Sequence, residues 1–210
     1  MKLISIPILA CLLLAVVGIT RSQDEETRRH QLHDLGGPYF VSRDKVQEEM
    51  KLSDEQKQRL QEKLTTDLLE SKDLLGKLKK LKGGEREKLM QPSYERLEAF
   101  LKGNLTADQF KRFQQLLLQY DTPSIMLRPE IVTRLNIAQE QRQQFMGAIQ
   151  GMQAKIAPLM QEAKSGGNQQ EILLEVTKLR QDCQGQIMAR LNDAQRQQWA
   201  EMTGKPFVIW

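Results

Sequence analysis

Val46-Gln-Glu-Glu-Met50-Lys-Leu52-Ser53-Asp-Glu-Gln56-Lys-Gln-Arg-Leu60 returns 85 residues later as Ile131-Val-Thr-Arg-Leu135-Asn-Ile137-Ala138-Gln-Glu-Gln141-Arg-Gln-Gln-Phe145. Leu105-Thr106-Ala-Asp-Gln109-Phe-Lys-Arg-Phe113 likewise returns after 86 residues as Leu191-Asn192-Asp-Ala-Gln195-Arg-Gln-Gln-Trp199. Two matches at nearly one offset read as a tandem duplication, with units at 44–120 and 129–204. The linker, residues 121–128, contains Pro123, and Pro129 opens the second unit.

All four segments share one grammar: an apolar residue, a cap position, two residues, Gln, three residues, and a large apolar residue. Ser53 with Gln56 and Thr106 with Gln109 spell a capping box. In it the hydroxyl accepts from the backbone N–H three residues on, and that residue's side chain reaches back to the cap N–H. Asn192 before Gln195 keeps a good cap. Ala138 before Gln141 has no side-chain oxygen, so the helix there is expected to run on from Ile131 without a sharp start. Leu60, Phe113, Phe145 and Trp199 fall one turn beyond each Gln and, with Leu52, Leu105, Ile137 and Leu191, are expected to anchor the corners. Only Leu105 has an apolar residue, Phe110, where a hydrophobic staple needs it.

Outward from these corners the chain keeps helical period. Leu60, Leu64, Leu68, Leu75 and Leu78 make one stripe, and Phe145, Ile149, Met152, Ile156 and Leu159 make another. No stretch alternates with period two. Pro92 is expected to open a helix at its first turn and Pro158 to kink or break one. The expected fold is all-α: two tandem helical-hairpin units in a thin, elongated helical body, paired as an internal pseudo-dimer.

The start of the chain reads differently. Lys2 precedes an uncharged apolar run from Leu3 to Thr20, followed by Arg21-Ser22-Gln23-Asp24. That is the build of a secretory signal, residues 1–22, cut before Gln23 or slightly earlier. The alternative is an uncleaved anchor, and only then would the chain touch a membrane. Both readings export the body, to a periplasmic or extracellular place. Residues 23–43 read as a flexible leader and 205–210 as an apolar tail, Pro206-Phe207-Val208-Ile209-Trp210, expected to dock rather than wave in water.

Of 31 basic residues, Lys2 and Arg21 lie in the signal, which holds no acid; without it 29 face 27 acidic residues and the net charge of +4 falls to about +2. So weak a balance argues against nucleic acid as partner. Cys11 leaves with the signal, so Cys183 is the mature chain's single thiol. It shares a helical face with Ile172, Val176, Leu179 and Ile187 and reads as a small buried hydrophobe; an intermolecular disulfide or redox sensor is the other reading.

Leu52-Ser53-x-x-Gln56 and Leu105-Thr106-x-x-Gln109, in a small exported helical chain, resemble the LTxxQ-motif (Spy/CpxP-like) periplasmic family. The closing run from Leu191 to Phe207 resembles more closely still uncharacterised planctomycete secreted helical proteins. The resemblance covers most of residues 44–207, with Ala138 and Asn192 departing from its Ser/Thr. It implies helical hairpins and, by analogy with ATP-independent chaperones of the stress response, weak binding of exposed segments; zinc-responsive relatives share that fold.

No catalytic signature appears, and no cofactor is expected. His30 and His33 are the only histidines, both in the leader; they are weak metal candidates at helical spacing. Lys72, Lys77, Lys79, Lys80 and Lys82 crowd the expected end of a long helix, where they complement its dipole or form a basic tip for anionic surfaces. Gln139, Gln141, Gln143, Gln144, Gln195, Gln197 and Gln198 keep the second half hydrogen-bonding yet uncharged. Met146, Met152, Met160, Met188 and Met202 add pliable apolar area and are expected in the core. The function expected is an exported helical binding protein, not an enzyme, that takes unfolded or amphipathic protein segments, with homodimerisation open. The alternatives are a metal-responsive envelope sensor using His30 and His33, and a purely structural secreted helical protein.

Overall fold

The computed structural model describes residues 36–78, 81, 84–120 and 123–208, and every regular element among them is helical. The expected signal segment, the expected leader as far as residue 35 with both histidines, Lys79, Lys80, Lys82, Ile209 and Trp210 lie outside the described residues. No helix among the described residues is long and apolar enough to cross a membrane. The chain divides into two compact units between Phe110 and Lys111.

The first unit opens with a 3-10 segment, Gly37–Ser42, then α1 (Asp44–Glu49), α2 (Asp54–Glu70), α3 (Lys72–Leu78), α4 (Gly84–Asn104) and the start of α5 (Ala107–Tyr120). Leu60, Leu64 and Leu68 recur once per turn of α2 and are buried, as are Leu97 and Leu101 of α4. The second unit holds the rest of α5, a 3-10 segment at Ser124–Leu127, α6 (Pro129–Arg134), α7 (Gln139–Lys164), α8 (Gln169–Ala189) and α9 (Asp193–Thr203). Helices α7 and α8 pack as a hairpin around Phe145, Ile149, Met152, Cys183 and Ile187, and Leu191, Trp199 and Met202 extend that core. From each 3-10 segment onward the order is the same: short helix, turn, long outgoing arm, returning helix and closing helix.

Several expectations need correction. The leader was expected to reach residue 43 and the linker to span 121–128. Instead Gly37–Ser42 and Ser124–Leu127 are folded, burying Tyr39, Phe40 and Val41 in one and Ile125 and Met126 in the other. Apolar side chains there outweigh the turn chemistry of the flanking Gly and Pro. Pro92 and Pro158 sit inside α4 and α7, neither opening nor breaking them. Both prolines are exposed, so the carbonyl each deprives of a donor can bond to water. The Leu60–Leu78 stripe is not one helix: α2 stops at Glu70 and α3 restarts at Lys72, leaving Lys72 at a helix start. Met146 and Met160 are 46% and 47% exposed rather than in the core, while Met152 and Met202 are buried.

The segment that follows α9 docks through its backbone as far as Phe207. Gln119 Nε2 donates to the carbonyls of Thr203 (2.8 Å) and Lys205 (3.1 Å), and Arg112 donates to the latter (2.9 Å). The Phe207 N–H in turn donates to Gln119 Oε1 at 2.9 Å. Gly204 makes the approach possible: its φ is +64°, and a Cβ there would stand 2.4 Å from Gln115 Oε1. Phe207 is half-buried and Val208 exposed.

Candidate functional site

In each unit the two helix corners written by the repeated motif meet, and glutamine joins them. Ser53 is extended and caps α2: its Oγ accepts from the Gln56 N–H (3.2 Å) while Gln56 Oε1 accepts from the Ser53 N–H (3.0 Å). Thr106 and Gln109 do the same at the start of α5 (3.3 and 3.0 Å). The two side-chain amides then face each other. Gln56 Nε2 donates to Gln109 Oε1 at 2.8 Å, and Gln109 Nε2 donates back to Gln56 Oε1 at 3.1 Å. The second hydrogen of each amide goes to a carbonyl two residues before the other corner's cap: Gln56 to Asn104 (3.0 Å), Gln109 to Lys51 (3.1 Å). Each side chain thereby uses both donors and both acceptor lone pairs.

The second unit repeats the arrangement. Gln141 Nε2 donates to Gln195 Oε1 (2.9 Å) and to the Arg190 carbonyl (2.8 Å). Gln195 Nε2 returns to Gln141 Oε1 (3.1 Å) and reaches the carbonyls of Asn136 (3.3 Å) and Leu135 (3.2 Å). Asn192 supplies a complete box at α9, its Oδ1 accepting from the Gln195 N–H at 2.8 Å. Ala138 supplies only the reverse half, its N–H donating to Gln141 Oε1 at 3.0 Å. The expected run-on from Ile131 is therefore wrong: α6 ends at Arg134, Ala138 is extended, and α7 starts at Gln139. Gln141, not a hydroxyl, defines that start.

No family model, curated protein or solved structure matches this chain.

The geometry explains why glutamine, and not the glutamate that capping boxes equally accept, occupies all four positions. A carboxylate would cap its own helix but has no hydrogen to give the opposite carbonyl, and two of them would repel. The acceptor carbonyls sit where helices end, at the negative pole, and the capped N–H groups sit where helices begin. One amide therefore satisfies both poles of two corners. Of the anchors, Leu60, Phe113, Phe145 and Trp199 are buried, as are Leu52, Ile137 and Leu191, whereas Leu105 is half-buried.

The carbonyl partners lay beyond the motif and were not foreseen. Lys51 and Asn136 are left-handed, with φ of 54° and 49°, and end α1 and α6. In each case the next residue's N–H reaches back five residues, Leu52 to Gln47 and Ile137 to Val132, in Schellman closure. Asn adopts this conformation at lower cost than Lys does. Lys51→Gly is accordingly expected to stabilise the first unit by about 0.5–1 kcal/mol in denaturant titration, and Asn136→Lys to destabilise the second by a similar amount.

Outside the corners the first unit carries a polar cluster. Tyr39 Oη donates to Asp67 Oδ2 (3.1 Å) and Lys63 Nζ pairs with Asp67 Oδ1 (2.5 Å), with Asp67 only 3% exposed. Burial, and then the neighbouring carboxylate, push the Tyr39 phenol well above its ordinary value. Burial likewise raises the Cys183 thiol, which keeps it protonated and unreactive. No group of three or more His, Cys, Asp or Glu able to hold a metal occurs among the described residues, and His30 and His33 lie outside them.

Proposed function

We propose that the chain is an exported, LTxxQ-like helical binding protein that takes unfolded or amphipathic protein segments weakly and without nucleotide. The observation that carries this reading is the α7–α8 hairpin, rigidly rooted at its glutamine corner yet showing Leu173, Leu174, Met146 and Met160 to solvent at 61%, 72%, 46% and 47% exposure. Leu173 and Leu174 are chain neighbours, and large apolar side chains grouped in water suit a contact surface. Two of the four are unbranched Met, whose thioethers adapt to varied partners. Uncharged Gln143, Gln144, Gln150 and Gln153 on α7 are exposed as well and offer hydrogen-bonding groups to a chain laid on that helix.

The repeated corners support a duplicated origin, since the second unit reproduces the reciprocal amide pair of the first. They make each unit a stiff platform rather than a reacting centre. The test is protection of a thermally unfolding enzyme from aggregation by the mature chain without nucleotide, followed by light scattering. Protection at stoichiometric amounts is expected, with a clear loss in a Leu173→Gln/Leu174→Gln variant of unchanged melting temperature. Equal scattering with and without several-fold excess of the chain would refute it.

A further inference from the structure

The two units bury matching positions unequally, and in the wrong sense for their chemistry. Ser71 and Ser93 of the first unit are 5% and 6% exposed. At the corresponding offsets of 85 and 86 the second unit has Ile156 and Leu179, larger and apolar, yet only half-buried. What covers the first-unit face is the opening 3-10 segment, which packs on α2 and α4. Its Tyr39 bonds Asp67 and lies with its ring centroid 6.3 Å from that of Tyr94. In the second unit the segment Ser124–Leu127 packs on α6 and α7, and the position of Tyr39 is taken by Ser124, short and exposed. The α7–α8 face around Ile156 and Leu179 thus has an apolar surface without the aromatic cover that its counterpart receives.

The sequence contains that cover a third time. Gly36-Gly-Pro38-Tyr39-Phe40-Val41 and Asp121-Thr-Pro123-Ser124-Ile125-Met126 open the units, and Gly204-Lys-Pro206-Phe207-Val208-Ile209 follows α9. Gly36 and Gly204 even share a backbone conformation, φ/ψ of 69°/−165° and 64°/−153°. In the first two copies Tyr39, Phe40, Val41, Ile125 and Met126 are buried and only Ser124 is exposed, whereas Phe207 is half-buried and Val208 is 75% exposed. The backbone of this third copy is pinned to α5 by Gln119 and Arg112, and Phe207 is not among the partly buried side chains that, like Ile156 and Leu179, pack against the second unit's core. The chain's own tail is therefore held elsewhere.

We infer that the α7–α8 face is a self-association site, filled by the Pro206-Phe207-Val208 segment of a second copy, whose Phe207 takes the place that Tyr39 takes on the first unit. This does not depend on the chaperone-like reading, which uses the outward residues Leu173, Leu174, Met146 and Met160 and is tested at the two leucines. Sedimentation velocity of the full chain and titration with a labelled synthetic peptide spanning Gly204–Trp210 test it together. Expected are a concentration-dependent dimer, dissociated by the peptide, and an association weakened roughly tenfold or more by Phe207→Ala or Ile156→Gln. Circular dichroism verifies that Ile156→Gln, at a partly buried position, remains folded; Phe207→Ala, in the tail, gives the same readout independently of it. A chain of single mass at every concentration that binds no peptide would overturn the inference. Equal peptide binding by wild type and Ile156→Gln would overturn it too, as would a strictly monomeric chain whose melting temperature falls with Phe207→Ala, since that places the tail on its own chain.

Discussion

Replacing Gln195 with Leu is expected to destabilise the second unit by about 3 kcal/mol, a fall of roughly 15 °C in its melting transition followed by circular dichroism. Gln195 is 5% exposed and its amide serves five partners: the Asn192 N–H, both atoms of the Gln141 amide, and the carbonyls of Leu135 and Asn136. Leucine fills the volume but strands these groups where water enters poorly. The sharper variant is Gln195→Glu. By capping rules alone it is neutral, because glutamate closes a box as well as glutamine does. By the paired-corner geometry it is costly, about 2 kcal/mol at neutral pH, because the carboxylate faces Gln141 Oε1 and two carbonyl oxygens with no hydrogen to give. Those neighbours favour the protonated acid and so raise its pKa in the folded state above the unfolded value. Stability is then regained as pH falls through the folded pKa, complete below the unfolded one, since the carboxylic O–H replaces one lost donor. A Glu variant as stable as wild type at neutral pH, or one that does not recover in acid, would show that the amide pair is incidental.

How far this was legible from the amino-acid order follows from what a linear motif encodes. Period and capping grammar placed the starts of α2, α5 and α9, because an N-cap is a local event settled within four residues. Ala138 misled for the same reason: local reasoning saw no hydroxyl and extended the helix, whereas the start is imposed by Gln141 and by the left-handed turn at Asn136. The Gln–Gln pairing joins residues 53 or 54 positions apart and leaves no periodic trace. The 3-10 segments were missed because Gly and Pro announce a loop while the buried Tyr39-Phe40-Val41 and Ile125-Met126 that follow are too short to show a period. Pro92 and Pro158 were overweighted because a missing N–H is cheap on a solvent-facing turn.

The two units, alike at their corners, part company over Asp67, and the largest expected effect in the first unit follows from that difference. At the matching position the second unit has Met152, an ordinary core residue. The first unit buries a carboxylate there and satisfies it with the Tyr39 hydroxyl and Lys63. Tyr39→Phe keeps the ring and removes one donor from a nearly inaccessible anion, so a loss of about 2 kcal/mol is expected in chemical denaturation. The pH dependence separates this loss from a packing defect. Because the folded phenol titrates above its unfolded value, its contribution is whole below about pH 10 and is lost as pH rises towards the folded pKa. Wild type should therefore lose stability in alkali faster than Tyr39→Phe, and the two denaturation midpoints should converge. Parallel curves would mean that the phenol ionises as freely in the fold as out of it, and that Asp67 draws its stability from Lys63 alone.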